Sequence, residues 1–163
     1  MHLYHLRCEM LVKRSISEVF AFFEDAGKLS KITPQWLNFQ IISKQAAMRP
    51  GVEIEYNIRL IGIPMYWRSV ITEYEPPFQF VDEQAAGPYR YWHHTHYFRP
   101  APKGTLVGDH VEYALPLGPL GRIGHMLMVR PQLMAIFNYR QKALSGQFDG
   151  ETVQVLKPVI TER

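Results

Sequence analysis

The sequence predicts an α+β domain in which a curved, seven-stranded antiparallel sheet wraps around a long carboxyl-terminal helix, with two short helices between strands one and two. Three observations carry this. Apolar residues alternate at period two in segments from Tyr4 to Leu115; turn signals recur roughly every 8 to 14 residues with no helical stretch between strands three and seven; and the spacing turns helical from about Arg122 to Phe148. A sheet with one apolar face has to cover it, and that helix carries the one long apolar stripe available.

In chain order, Tyr4, Leu6, Cys8, Met10 and Val12 alternate with polar residues and predict the first strand. Ser15-Ile16-Ser17-Glu18 has the form of a capping box, and Val19, Phe20 and Phe23 follow at helical spacing. Gly27 breaks that helix, and a second is expected over Lys28 to Ile32, stopping before Pro34 because the residue preceding a proline is pushed out of the helical region. Phe39 and Ile41 indicate strand two, and Val52 to Leu60 gives the clearest alternation, strand three. Strands four to seven are expected over 65–74, 78–84, 89–98 and 105–115, separated by Pro76-Pro77, Gly87-Pro88 and the Pro100 to Gly104 turn. In the final helix, Ile123, Leu127, Leu133, Phe137, Leu144 and Phe148 form the expected buried stripe, with Arg122, Arg130, Arg140 and Lys142 on the polar side. Pro131 predicts a kink or a restart. Residues 1–150 are read as a single domain and 151–163 as a loosely ordered extension with a short alternation at Val153 and Val155.

Composition narrows the function. The 163 residues suit one module, and 13% aromatics, with seven Met and seven His, is rich for its size. A single cysteine excludes an internal disulfide and a thiolate metal cluster, and no secretory leader or membrane-span pattern is visible, so a cytoplasmic protein is expected. The charge of +3, without a basic run, argues against nucleic acid as a partner. Neither a Ser or Cys nucleophile motif nor a glycine-rich phosphate loop is present, and no cofactor is expected. Cys8 reads as a small core residue.

Period two also assigns faces. Trp92, His94, His96 and Phe98 share one side of strand six; Asp109, Val111 and Tyr113 are in phase on strand seven, as are Phe80, Asp82 and Gln84 on strand five. These sets are expected to face inward. With Tyr56, Trp67, Leu133, Phe137 and Arg140 they make the expected ligand lining. Three readings of the polar members stand side by side. They form a self-satisfied network that fixes the sheet, or they meet a ligand carbonyl, hydroxyl or carboxylate, or His94, His96 and Asp109 hold a metal. The metal is the weakest of the three, and none is expected. A His beside a carboxylate can act as a general base, so His94, His96, Asp109 and Tyr113 are also the catalytic candidates.

Several stretches resemble a known family: Ile32-Thr33-Pro34-Gln35-Trp36-Leu37, Gly87-Pro88-Tyr89, Trp92-His93-His94-Thr95-His96-Tyr97-Phe98, Asp109-His110-Val111-Glu112-Tyr113 and Ile136-Phe137-Asn138-Tyr139-Arg140. Together with the element order, they resemble the START/Bet v 1-like superfamily with its helix-grip fold, in the small bacterial ligand-binding, polyketide cyclase/dehydrase-like branch. That resemblance implies a cavity between sheet and helix that binds or transports a hydrophobic or amphipathic small molecule such as a lipid, polyketide or isoprenoid. The alternative it implies is a cofactor-free cyclase or dehydratase in the same cavity. Arg130 and Arg140 are either solvated or placed to meet an anionic head group at the cavity mouth, and the basic helix beside the apolar Pro116 to Leu120 loop allows transient membrane contact. The oligomeric state is left open.

Overall fold

The computed structural model describes residues 2–44 and 46–162. Its strands are β1 (Tyr4–Val12), β2 (Gln40–Ile41), β3 (Glu53–Leu60), β4 (Ile63–Glu75), β5 (Gln79–Ala86), β6 (Tyr91–Ala101), β7 (Gly104–Ala114) and β8 (Thr152–Glu162). They form one antiparallel sheet in the order β2-β3-β4-β5-β6-β7-β1-β8. The helices are α1 (Ile16–Phe23), α2 (Gly118–Gly124) and α3 (Arg130–Gln147), and the sheet with α3 makes the expected helix-grip architecture.

The Ser15 box forms. Glu18 N–H donates to Ser15 Oγ at 3.3 Å and Ser15 N–H to Glu18 Oε2 at 3.0 Å, which fixes the start of α1 so that Val19, Phe20 and Phe23 are buried. The second short helix is a 3₁₀ turn, Ala26–Ile32, and a further 3₁₀ turn, Gln35–Leu37, follows it. The β3–β4 hairpin turns on Ile61 (φ 54°) and Gly62 (φ 75°), both in the left-handed region that a two-residue hairpin demands. At the β6–β7 turn Gly104 has φ 144°, and a Cβ there would lie 2.1 Å from the Val12 carbonyl oxygen, so the turn tucks against β1 only as glycine.

Two sequence expectations are corrected. The loosely ordered segment after Glu151 is strand β8, paired with β1 along almost its whole length; Arg163 lies outside the described residues. Its sequence hides this because most of its apolar side chains are exposed: Val153 and Val155 face solvent and only Pro158 and Ile160 are buried, and the register shifts twice, between Arg7 and Glu9 and between Glu9 and Met10. The sheet therefore has eight strands, not seven.

The second correction concerns the carboxyl-terminal helix, which starts earlier than expected and is broken in phase. A π-helical turn, His125–Val129, separates α2 from α3, and Pro131 sits in the first turn of α3. The wide turn rotates the faces on its two sides out of phase. Leu133, Phe137 and Leu144 are buried as expected, but Ile123 and Leu127 are exposed, and His125 takes the inward place. His125 stacks on Tyr4 with ring centres 3.6 Å apart and pairs with the Tyr113 hydroxyl at 2.8 Å. Arg140, assigned to the polar side, is buried.

Candidate functional site

Between the concave sheet and α3 lies a cavity of about 180 Å³. Its walls are largely apolar and aromatic: Phe39, Tyr56, Trp67, Phe80, Tyr89 and Trp92 from the sheet side, Leu133, Ile136 and Phe137 from α3, and Leu29 and Leu37 from the 3₁₀ turns. Trp67 holds three of these rings together, stacking on Tyr56 at 5.9 Å and meeting Tyr89 and Trp92 edge-on at 5.6 and 5.2 Å. Its indole N–H donates to Ser69 Oγ at 3.1 Å.

One wall is charged. Cross-strand register sets Asp82 of β5 opposite His94 of β6, and His96 of β6 opposite Asp109 of β7. His94 Nε2 lies 2.9 Å from Asp109 Oδ1, and His96 Nε2 2.9 Å from Asp82 Oδ2, so the two imidazoles bridge two carboxylates with their ring centres 3.8 Å apart. Arg140 enters from α3 and grips Asp109 in bidentate fashion, Nε to Oδ2 at 3.2 Å and Nη2 to Oδ1 at 3.1 Å. Ser69 donates to Asp82 Oδ1 at 3.3 Å.

The charges offset one another. Burial works against ionising Asp109, but Arg140 and then the two histidines outweigh it and hold its carboxyl well below the usual range; His96 and His94 do the same, less strongly, for Asp82. Burial also opposes charge on His96, yet the hydrogen bonds to Asp109 and Asp82 prevail and raise its pKa. His94 goes the other way: burial, and next the charge on His96, lower it to about 4. At neutral pH the two carboxylates face Arg140 and His96, and His94 is neutral. With Nε2–H given to Asp109, the remaining nitrogen of His94, Nδ1, is a lone-pair acceptor 3.6 Å from Asp82 Oδ2. That pair of acceptors, on residues that line the cavity, suits a ligand hydroxyl or N–H.

Of the sequence-predicted residues, Tyr56, Trp67, Phe80, Asp82, Trp92, His94, His96, Leu133, Phe137 and Arg140 line the cavity. Asp109 stands behind the histidines and reaches the cavity through them. Gln84 staples the β5–β6 connection instead, donating to the Tyr89 carbonyl at 2.7 Å and accepting from its N–H at 3.1 Å, which sets Tyr89 on the wall. Phe98 packs with Phe20 and Phe23 in a second core cluster, and Val111 is fully buried in the first. Tyr113 does not join the His–Asp network, since its hydroxyl is engaged by His125. Sequence reasoning missed Tyr89 and Ser69. Tyr89 sits beside a turn, where period two carries no signal; Ser69, in phase with Trp67 on β4, was within reach. Cys8 is buried with Sγ 3.6 Å from Asp109 Oδ2, and burial pushes its thiol up, the reverse of an activated nucleophile.

Residues 12–137 match the family model described as polyketide cyclase/dehydrase and lipid transport. The chain belongs to that family. That description joins polyketide cyclisation and dehydration with lipid transport, and at this coarse level it supports hydrophobic ligand binding. Among solved structures the chain is similar to a Chromobacterium violaceum protein (13% identity, 89% of this chain and 96% of the other, TM-score 0.66). It is also similar to a START superfamily protein from Mycobacterium smegmatis (16%, 91% and 98%, TM-score 0.62). A third likeness is to the nucleoside-diphosphate sugar epimerase from Corynebacterium glutamicum (18% identity, TM-score 0.63), of which 29% is covered by 88% of this chain. At these identities the likenesses establish the fold. No curated protein gives a significant match. No helix among the described residues is long and apolar enough to cross a membrane.

Proposed function

We propose that the protein binds and carries an amphipathic small molecule of lipid, polyketide or isoprenoid type, with its apolar part among the aromatic walls and a hydroxyl or N–H against His94 Nδ1 and Asp82. The carrying observation is the cavity itself, apolar on most sides and ended by a charged wall that presents acceptors. Its volume of about 180 Å³ sets a limit. Ligand pockets commonly run from about 300 to 1,000 Å³, whereas an apolar cavity of about 150 Å³ admits benzene. At rest it therefore takes a single ring or the end of a chain. A longer ligand extends past Leu29, Phe39 and Met48, the half-buried lining residues.

The exposed apolar segment at the start of the carboxyl-terminal helix fits such a role. Leu117 and Leu120 are 74% and 71% exposed, and Ile123, Met126 and Leu127 continue the surface with Arg122 among them. Transient contact with an anionic membrane surface is part of the proposal. Localisation in the cytoplasm is its simplest setting.

Binding is tested by titrating a fluorescent fatty-acid probe and by native mass spectrometry of the purified protein. Saturable binding is expected, and Phe137→Trp, which adds bulk within the cavity, weakens it at least about tenfold. Binding indifferent to Phe137→Trp overturns the reading. The rival, a cyclase or dehydratase, draws on His94, His96 and Asp82 at the same wall. It fits less well, because both ring nitrogens of His96 are engaged by Asp82, Asp109 and Arg140, and His94, at about 4, is a weak base at neutral pH. Loss of turnover of a hydroxy or ketide thioester in His94→Gln with probe binding kept would establish the enzyme instead.

A further inference from the structure

The opposite face of the sheet carries a second set of titratable groups that the cavity does not use. Cross-strand pairing lines up Glu83 of β5, His93 of β6, Glu112 of β7 and His5 of β1 in one transverse row, acid and imidazole alternating across four strands. His110, two residues before Glu112, faces the same way. His5 Nδ1 lies 3.2 Å from His110 Nε2 and 3.3 Å from Glu112 Oε1, and one donor atom from each of the three residues falls within 4.8 Å of the others.

Those two short separations have the size of ligand–ligand edges in a tetrahedral centre. Donors about 2.0 to 2.1 Å from a zinc ion stand about 3.3 Å apart. Two imidazole nitrogens and one carboxylate oxygen make a borderline donor set that suits zinc, cobalt, nickel or copper rather than calcium or magnesium. His93 Nδ1, on the neighbouring strand, lies 4.0 Å from the other Glu112 oxygen and is buried without a hydrogen-bond partner. His5 is 6% exposed, so its ring is held in place by packing before any ligand arrives.

The inner set of Asp82, His94 and His96 meets the same distance criterion, but Arg140 Nη2 stands 3.2 Å from His96 Nδ1 and neutralises the carboxylates there. Among the described residues no buried cation faces the outer set: Arg7 is exposed, and the other neighbours in the row are Glu83 and Thr161. We propose that His5, His110 and Glu112 form a binding site for a divalent transition-metal ion that ties β1 to β7 on the outer face of the sheet.

The test uses untagged, chelator-treated full chain titrated with Zn²⁺ by calorimetry, and with Co²⁺ by its visible d–d absorption. One equivalent of zinc, a tetrahedral cobalt spectrum and a raised Tm are expected, with affinity falling more than about tenfold in both His110→Ala and Glu112→Gln. Circular dichroism shows whether each variant is folded; Glu112→Gln, half-exposed and nearly isosteric, keeps the test sound if His110→Ala is not. Absence of saturable binding overturns the proposal, as does binding that survives both variants but is lost in His94→Gln, which moves the ion to the inner wall.

Discussion

Arg140 is the residue on which the charged wall turns. It is buried on α3, bidentate to Asp109, and its guanidinium lies 5.4 Å from the Phe23 ring centre. Removing one partner of such a pair leaves the other charge buried and unmatched, at a cost of roughly 3 to 5 kcal/mol. Arg140→Met is expected to lose about that much in urea unfolding, and the double variant with Asp109→Asn to recover a large part of it. His94 makes a prediction about pH. Its folded pKa of about 4 lies below the ordinary value of 6.5, so between those values the unfolded chain binds the extra proton and stability falls as pH falls. From pH 6.5 to 5 this amounts to roughly 1.5 kcal/mol, the slope reaching its full 1.36 kcal/mol per unit only below the unfolded pKa. His94→Gln should show a correspondingly shallower loss in that window. His96 acts elsewhere: its raised pKa gives stability that is complete below its unfolded value and declines as pH rises through the folded one. The carboxylates Asp82 and Asp109, both lowered, add a further loss only as pH falls below about 3.9.

Among the elements, the β3–β4 hairpin carries a local conflict. Ile61 is β-branched, exposed, and held at φ 54°, where such residues are costly. Asn-Gly is the preferred pair for this turn, so Ile61→Asn is expected to raise stability by about 1 kcal/mol, read from the urea midpoint at unchanged slope. The hairpin tip and the β7–α2 connection lie at the same end of the sheet, because successive antiparallel strands bring 60–63 and 114–118 together there. Exposed Ile61, Ile63, Leu117 and Leu120 therefore border one end of the molecule. Leu120→Glu with Leu127→Glu should abolish co-flotation with anionic vesicles while leaving Tm within about 1 °C, since both side chains are exposed. The π turn explains why the helical stripe was misread before Leu133: one wide turn puts His125 inside and leaves Leu127 outside.

For the molecule as a whole, β8 completes the sheet by covering β1. Ile160 of β8 is buried in the first core cluster, and Gln141 of α3 donates to the Leu156 carbonyl at 3.0 Å, tying strand to helix. Ile160→Ala is expected to cost about 2 to 5 kcal/mol, as for other buried large-to-small changes, measured by urea unfolding. Local patterns made much of the fold legible. Alternation in β1, β3, β6 and β7, the Ser15 cap and the proline and glycine turns are short-range signals, and they also marked His94, His96 and Asp82 as one inward group. The edge strand β8 was illegible because its outer side chains are apolar without being buried. Tyr113 was misplaced because the partner of a polar group comes from another element, here His125, and Arg140, expected both on the polar side of the helix and in the lining, is buried by its pairing with Asp109. The sequence by itself determined the strand faces, the helix and the aromatic character of the interior, since these follow from spacing along one segment. Tertiary structure alone decided the volume of the cavity, the partners of its charges and the row of imidazoles on the outer face, because each depends on distances between strands remote in the chain.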